Sequence, residues 1–135
     1  MELKNEYSSL RTFYINNRFK KDEKKKLCYN EIKNCYNETF NANTVSKQFD
    51  AFGFTLLHWA ALFCQPEEID RLINEEKIEV NIRSKKYKEY TVDNLTPIWL
   101  AALHSNEETI KCLLKHEADI YIQPVNTYYD NGLMD

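Results

Sequence analysis

Apolar residues recur at helical intervals in the first third of the chain. A helix over about residues 3–19 is predicted by positions four, three and four residues apart: Leu3, Tyr7, Leu10 and Tyr14. A second helix over about residues 24–39 is predicted by positions three, four and four residues apart: Tyr29, Ile32, Tyr36 and Phe40. The pattern therefore predicts a pair of amphipathic helices at the start of the chain.

The middle of the chain contains an internal repeat. The segment from Thr55 to Ile73 aligns without a gap to the segment from Thr96 to Leu114, and seven of the 19 pairs are identical. The identical pairs are Thr55/Thr96, Ala60/Ala101, Ala61/Ala102, Leu62/Leu103, Glu67/Glu108, Ile69/Ile110 and Leu72/Leu113. Such self-similarity is typical of proteins built from stacked supersecondary units.

Each copy of the repeat predicts two helices, over residues 56–63 and 67–76 in the first unit and over 97–104 and 107–116 in the second. The longer helix of each unit has one apolar face, because Ile69, Leu72 and Ile73 return as Ile110, Leu113 and Leu114. Only two glycines and three prolines occur in 135 residues, too few for the many turns of an all-β fold. The predicted fold class is all-α.

The two units resemble the ankyrin repeat, whose signature is Thr-Pro-Leu-His-x-Ala-Ala before a second helix. The signature residues here are Thr55-Leu56-Leu57-His58-Trp59-Ala60-Ala61 and Thr96-Pro97-Ile98-Trp99-Leu100-Ala101-Ala102. The turn from Asp50 to Thr55, Val80-Asn81 and Ala118-Asp119-Ile120-Tyr121 also fit the family pattern. The resemblance covers about residues 47–123.

This resemblance implies an ankyrin-repeat solenoid, in which helix-turn-helix units stack and β-hairpin fingers project from one end. We expect an N-terminal helical cap over residues 1–45 and an ankyrin-repeat domain over 46–135. The repeats would span about 50–80 and 91–121, with a partial third finger over 122–135. About three units are needed for stability. Either the N-terminal helices supply the third, or the chain is the start of a longer array, which we favour.

The two units also depart from the family pattern. Their threonines are 41 residues apart rather than about 33, so the second finger is lengthened between Asn81 and Thr96. The usual glycines are replaced by Cys64 and Ser105 between the helices, and by Glu76 or Lys77 and Glu117 at the helix ends. We therefore expect less sharply terminated helices. The resemblance implies that His58 ties its unit to the neighbouring finger, whereas Trp99 replaces this histidine in the second unit.

Composition narrows the class of protein. At 135 residues the chain allows one domain, and 43% hydrophobic residues exclude a disordered protein. No apolar run is long enough to span a membrane, and the first residues lack the pattern of a signal peptide. The net charge of −3 disfavours nucleic acid as a partner. Residues 1–50 are basic, with ten Lys/Arg and seven Asp/Glu, whereas residues 51–135 are acidic.

No catalytic motif is present in the sequence, so we expect no enzyme activity, no cofactor and no small-molecule substrate. The four cysteines contain no Cys-x-x-Cys pair and have no zinc-finger spacing to histidine. They are interpreted as buried free thiols of a reducing compartment rather than as disulfides or metal ligands. His58 is interpreted as a structural residue.

The expected function is protein or peptide binding, because ankyrin repeats bind partners through the fingers and the exposed side of the first helix. This implies two sets of partner-binding residues. The first set lies on the first helices and finger bases: Phe52, Phe54, Trp59, Leu62, Phe63, Asp93, Leu95, Leu103 and His104. The second set lies on the long finger: Arg83, Lys85, Lys86, Tyr87 and Lys88. These finger residues would grip an acidic segment, or they belong to a solvated loop.

The apolar members of the first set pose a choice between two arrangements. Phe52, Phe54, Leu62, Phe63, Leu95 and Leu103 would form an exposed patch large enough to indicate a docking site, with Phe63 and Trp59 as anchors. Alternatively, the basic N-terminal segment covers the same phenylalanines through Phe13, Phe19 or Phe40. The exposure of Phe52, Phe54 and Phe63 distinguishes the two arrangements.

Two classes of function follow from these observations. The first is a non-catalytic adaptor or scaffold, and the second is the targeting or regulatory region of an enzyme whose catalytic domain follows residue 135. The amino-acid composition is enriched in Lys, Asn, Ile, Tyr and Phe. Such a composition is typical of A+T-rich genomes, as in parasites, intracellular bacteria and large viruses. It suggests a host-directed effector. The expected location is the cytoplasm, including that of a host cell, with no membrane partner.

Overall fold

The computed structural model describes residues 2–41, 47–85, 92–104 and 106–126. Six helices and two short strands occur in these ranges. The helices are α1 Tyr7–Asn17, α2 Asp22–Thr39, α3 Leu56–Leu62, α4 Pro66–Asn74, α5 Pro97–Leu103 and α6 Glu107–Lys115. The strands are β1 Val92–Asp93 and β2 Val125–Asn126. All six predicted helices are confirmed, although α1 begins four residues later than the expected start at residue 3.

The helices form two stacked pairs. In the first unit α3 packs on α4, and in the second α5 packs on α6. Between the units, α3 packs on α5 and α4 packs on α6. The alanines Ala60, Ala61 and Ala101 are fully buried. Their small side chains let the first helices of the two units approach closely. The all-α architecture of stacked helix pairs is therefore confirmed.

The N-terminal helices share the core of the repeats. Leu10 of α1 and Ile32 of α2 lie in the same apolar cluster as Trp59 and Leu72. On the outer side, Glu68 of α4 accepts a hydrogen bond from Tyr29 Oη at 2.8 Å and lies 3.1 Å from Lys33 Nζ. The expected boundary between cap and repeats falls between residues 45 and 46. Both residues belong to the range 42–46, which lies outside the described residues.

The helix ends are sharp although no glycine forms them. Cys64, Lys77 and Glu117 occupy the family's glycine positions and have positive φ values of 54°, 61° and 64°. After α4 the Ile78 N–H donates to Leu72 O at 3.0 Å, and after α6 the Ala118 N–H donates to Leu113 O at 3.0 Å. The expectation of poorly terminated helices is therefore wrong for these three ends. A non-glycine residue in this conformation costs about 1 kcal/mol, which the surrounding structure offsets.

The fingers are linked through their backbones. At the base of the second finger the Ser84 N–H donates to Leu95 O at 2.9 Å, and the Lys85 N–H donates to Gly53 O of the first finger at 2.9 Å. Strands β1 and β2 pair antiparallel, with Val92 opposite Asn126. Within the described residues this pairing joins successive fingers, so the expected β-hairpins are not confirmed. The finger residues 86–91 lie outside the described residues.

Candidate protein-binding surface

The apolar residues expected to form an exposed patch are mostly buried. Leu62 has 0% of its surface exposed, and Phe54, Phe63 and Leu95 are also buried. Phe52 is half-buried, and Leu103 alone among the six is open, at 57% exposure. The expectation of a continuous exposed patch is therefore wrong, because other parts of the chain cover its first-unit members.

Helix α1 contributes aromatic rings to this cover. The ring of Phe13 lies edge-on to Trp59 and Phe63, with centroid distances of 6.2 and 6.0 Å. The ring of Tyr14 lies 5.3 Å from Phe52 and 6.0 Å from that of Phe54. Aromatic pairs in this range contribute packing energy beyond the area they bury. The second expected arrangement, cover by the N-terminal segment, therefore describes the surroundings of these phenylalanines.

Two of the three residues expected to provide the cover pack elsewhere. Phe19 lies 5.2 Å from the ring of His104 and remains 72% exposed. Phe40 packs on Tyr36 within the N-terminal region, at 5.4 Å. Tyr7 and Tyr14, two of the apolar positions that predicted the first helix, pack on Phe52 instead. The spacing of those apolar positions was the sequence signal from which this cover could have been inferred.

His104, expected as a partner contact, is tied to α1. Its Nε2 atom lies 3.4 Å from Tyr14 Oη, and the two rings meet edge-on. Burial lowers the pKa of His104, and the positive charges of Arg18 and Lys25 lower it further. The imidazole is therefore held neutral at physiological pH.

Trp59, expected as an aromatic anchor for a partner, belongs to a buried polar cluster. Its Nε1–H donates to Asp50 Oδ2 at 2.6 Å, and Tyr36 Oη donates to the same oxygen at 2.8 Å. The other carboxylate oxygen accepts the backbone N–H groups of Phe52 and Phe54. Burial raises the pKa of Asp50, while these hydrogen bonds oppose the rise. The cluster joins α2, α3 and the first finger, which explains why Trp59 is not available at the surface.

His58 links its unit to the next finger, as the family resemblance implies. Its Nδ1 atom accepts the Thr55 backbone N–H at 3.0 Å, and its Nε2 atom lies 2.8 Å from Leu95 O. The Thr55 hydroxyl bonds its ring as well, at 2.9 Å. Burial lowers the pKa of His58 to about 4, so the ring is neutral and structural.

The basic finger residues are only partly described. Arg83 and Lys85 are exposed, and Lys85 Nζ lies 4.3 Å above the ring of Phe49. Lys86, Tyr87 and Lys88 lie outside the described residues, and Asp93 is described by its backbone only. Arg83 and Lys85 therefore place accessible positive charge beside the first finger.

An open apolar surface lies on the second unit. It consists of Leu103, the exposed residues Ile120 and Tyr121, and a small apolar depression lined by Ile98, Trp99, Ala102 and Ile120. We call this set the second-unit surface. Sequence reasoning identified Leu103 as a contact residue but missed Ile120 and Tyr121. The equivalent of Ala102 in the first unit, Ala61, is fully buried by α5.

A family model described as ankyrin repeats in three copies matches residues 24–124, about three quarters of the chain. The chain belongs to the ankyrin-repeat family. The match includes α2 as well as both ankyrin units, so it reaches further toward the N-terminus than the resemblance over residues 47–123. Comparison with curated proteins gives no match, and comparison with solved structures gives none. No helix among the described residues has both the length and the apolar character needed to cross a membrane.

Proposed function

We propose that this chain is a non-catalytic protein-binding module that acts as an adaptor or scaffold, and that it binds its partner through the second-unit surface. Ankyrin repeats are generally protein–protein interaction modules. The observation that carries the proposal is the contrast between Leu103, which is 57% exposed, and Leu62, its buried equivalent in the first unit. Members of this family contact partner proteins through the exposed side of the first helix of a repeat, and Leu103 places an apolar side chain there.

The proposed partner is a protein segment with apolar side chains. The depression beside Trp99 and Ile120 is almost entirely apolar, which suits an aliphatic or aromatic anchor. Arg83, Lys85, Lys86 and Lys88 remain proposed contacts for acidic residues of the partner, with Tyr87 between them. Asp93 remains a proposed partner contact at the base of the finger. Phe52, Phe54, Trp59 and Phe63 of the first unit would become contacts only after α1 moves away. Leu62 and Leu95 are buried within the chain.

The proposal is tested by recovery of bound proteins with charged variants of exposed leucines. Leu103→Arg is expected to reduce recovery of the specific partner at least tenfold, because it places a charge in the apolar contact. Leu27→Arg is the matched control, since Leu27 is also an exposed leucine, at 65%, but lies on α2. Equal recovery with both variants would contradict the proposed surface.

A second proposal is that the chain is the targeting or regulatory region of a longer enzyme. It is supported by the apolar side of the second unit, where Trp99, Ala102 and Leu114 occupy positions that are covered or partly covered in the first unit. A further domain packed on this side would cover them. The length of the natural reading frame distinguishes this proposal from the adaptor.

Location in the cytoplasm, and delivery into a host cell as an effector, are also proposals. They are supported by the A+T-rich lean of the composition and by the four free cysteines, of which Cys28, Cys35 and Cys112 are buried. Free buried thiols suit a reducing compartment. Fractionation of the source cells and of any host cells, with an antibody against the chain, tests both proposals.

A further inference from the structure

Three side chains that bind metals in other proteins meet on the outer side of the stack. Cys112 and His116 are one helical turn apart, on α6 and just after its last residue, and Asp70 projects from α4 of the neighbouring unit. Cys112 Sγ lies 3.4 Å from Asp70 Oδ1, and His116 Nε2 lies 2.6 Å from the same oxygen. The three ligand atoms all lie within 4.8 Å of one another.

The separation of the sulfur and oxygen atoms is that of ligands in a zinc centre. Typical bonds of about 2.3 Å to sulfur and about 2.0 Å to nitrogen or oxygen place tetrahedral ligand atoms about 3.3–3.6 Å apart. The sulfur–oxygen distance already matches, and small side-chain rotations would open the nitrogen–oxygen distance. We propose that Asp70, Cys112 and His116 form a zinc-binding site that joins the outer helices of the two ankyrin units.

The chemistry of the ligands favours zinc over harder cations. A thiolate and an imidazole select zinc and related transition metals, whereas magnesium and calcium prefer sets of oxygen ligands. The thiolate and the carboxylate together carry two negative charges, which balance the charge of Zn²⁺. When the metal binds, the Cys112 thiol, which otherwise donates to Asp70, releases its proton to solvent.

The burial of the ligands allows metal entry and leaves a position open. Cys112 is buried and His116 is half-buried, whereas the side chain of Asp70 is 56% exposed. Metal therefore enters past Asp70, and the fourth ligand is water or a side chain of a bound partner.

The site has a structural consequence because its ligands come from different units. Asp70 belongs to the first unit, while Cys112 and His116 belong to the second. A bound metal stabilises the folded chain by mass action, because the unfolded chain does not hold these three groups together. The melting temperature is therefore expected to rise with the concentration of free Zn²⁺.

The direct test is titration of the untagged, reduced full chain with Co²⁺ and Zn²⁺. We expect one Co²⁺ per chain with a thiolate-to-metal charge-transfer band, displacement of Co²⁺ by Zn²⁺, and a higher melting temperature with Zn²⁺. Cys112→Ser should abolish the band. Asp70→Ala and His116→Ala should each weaken Zn²⁺ at least tenfold in competition with a chromophoric chelator.

Matched controls separate the site from general thiol or imidazole binding. Cys28→Ser tests a cysteine with the same 8% exposure as Cys112, and His104→Ala tests a histidine of the same unit outside the cluster. Both are expected to bind the metals like the original chain. Absence of the charge-transfer band, its survival in Cys112→Ser, or unchanged Zn²⁺ affinity in Asp70→Ala would overturn the proposal. Asp70 is largely exposed, so its variant tests the site without disturbing the core.

Discussion

The two ankyrin units share a sequence pattern but occupy different surroundings. Leu62 and Leu103 are identical residues at equivalent positions, yet Leu62 is covered and Leu103 is open. The first unit packs against α2 and α5, and α1 supplies aromatic rings to its first helix, whereas the second unit has an open apolar side among the described residues. The burial of equivalent residues in this molecule therefore depends on the neighbours of a unit as well as on its repeated sequence.

The units also differ in the hydrogen bonding of the threonine hydroxyl that precedes their first helix. In the first unit the Thr55 hydroxyl bonds to His58, which also reaches the next finger. In the second unit the equivalent Thr96 hydroxyl is buried and has no hydrogen-bond partner. The cause is Trp99, which replaces the histidine and whose indole ring offers no acceptor. Because Trp99 stands in place of the histidine, the second unit has neither the threonine–histidine cap nor the histidine link to a following finger.

The largest expected difference between the units concerns their equivalent leucines. Leu62→Ala should destabilise the chain by about 2–4 kcal/mol, because it leaves a cavity in the core. Leu103→Ala should change the unfolding free energy by less than about 0.5 kcal/mol, because the residue is already 57% exposed. Urea unfolding of both variants provides the measurement. Similar losses at the two positions would remove the contrast.

The next difference concerns pH. Because burial holds the pKa of His58 at about 4, the unfolded chain binds a proton near pH 6.5 that the folded chain does not. Stability from this residue is therefore full above pH 6.5 and falls as the pH decreases toward 4. Between pH 7 and pH 5 the original chain should lose about 2 kcal/mol more than His58→Gln.

Urea unfolding of the two proteins at each pH measures this loss, and the comparison cancels the contribution of other groups. Asp50 is among them, because burial raises its pKa and so favours the folded state as the pH falls. Parallel pH dependence in the original chain and the variant would show that His58 titrates normally in the folded state.

A smaller effect compares the two capping threonines. Thr55→Val should cost about 1–2 kcal/mol, because it removes a hydroxyl that is hydrogen-bonded to His58. Thr96→Val should be neutral or stabilising, because the Thr96 hydroxyl is buried without a partner. Thermal unfolding of the two isosteric variants gives the answer. A loss at Thr96 equal to that at Thr55 would show that the second unit is capped in solution.

The smallest effect is one that the units share. Lys77 and Glu117 both adopt a left-handed backbone after the second helix of their unit. Lys77→Gly and Glu117→Gly should each stabilise the chain by about 0.5–1 kcal/mol, because glycine adopts this conformation without steric cost. Glu75→Gly serves as the control, since its φ of −95° gives glycine no advantage. Destabilisation by both test variants would contradict the assigned conformation.

The sequence predicted the helices well, because the repeat and the apolar spacing act locally. The starts and ends of α3 to α6 agree with the expected ranges within two residues. Helix α1 begins later, at Tyr7, although Leu3 continues its apolar spacing. Without glycine, the helices were expected to end less sharply. Backbone hydrogen bonds from Ile78 and Ala118 nevertheless close the ends of α4 and α6.

The candidate sites were harder to predict because they depend on contacts between distant segments. The spacing of Tyr14 indicated an apolar face but not that this face would cover Phe54 and Phe52. Asp70 lies 42 residues before Cys112, so no local motif joins them, and only the stacking of α4 on α6 brings them together. The remaining local signal was the Cys-x-x-x-His spacing of Cys112 and His116 on one helical face.

Helix α1 covers aromatic residues of the first unit, and the fluorescence of Trp59 provides a direct test of this cover. In a Trp99→Phe background Trp59 is the remaining tryptophan, and its ring is buried beneath Phe13. We predict blue-shifted emission that acrylamide quenches weakly. Phe13→Ala should shift this emission to the red and increase quenching, whereas Phe19→Ala, a change at an exposed ring, should do neither. Red-shifted, strongly quenched emission from Trp59 before any change to Phe13 would contradict the claim.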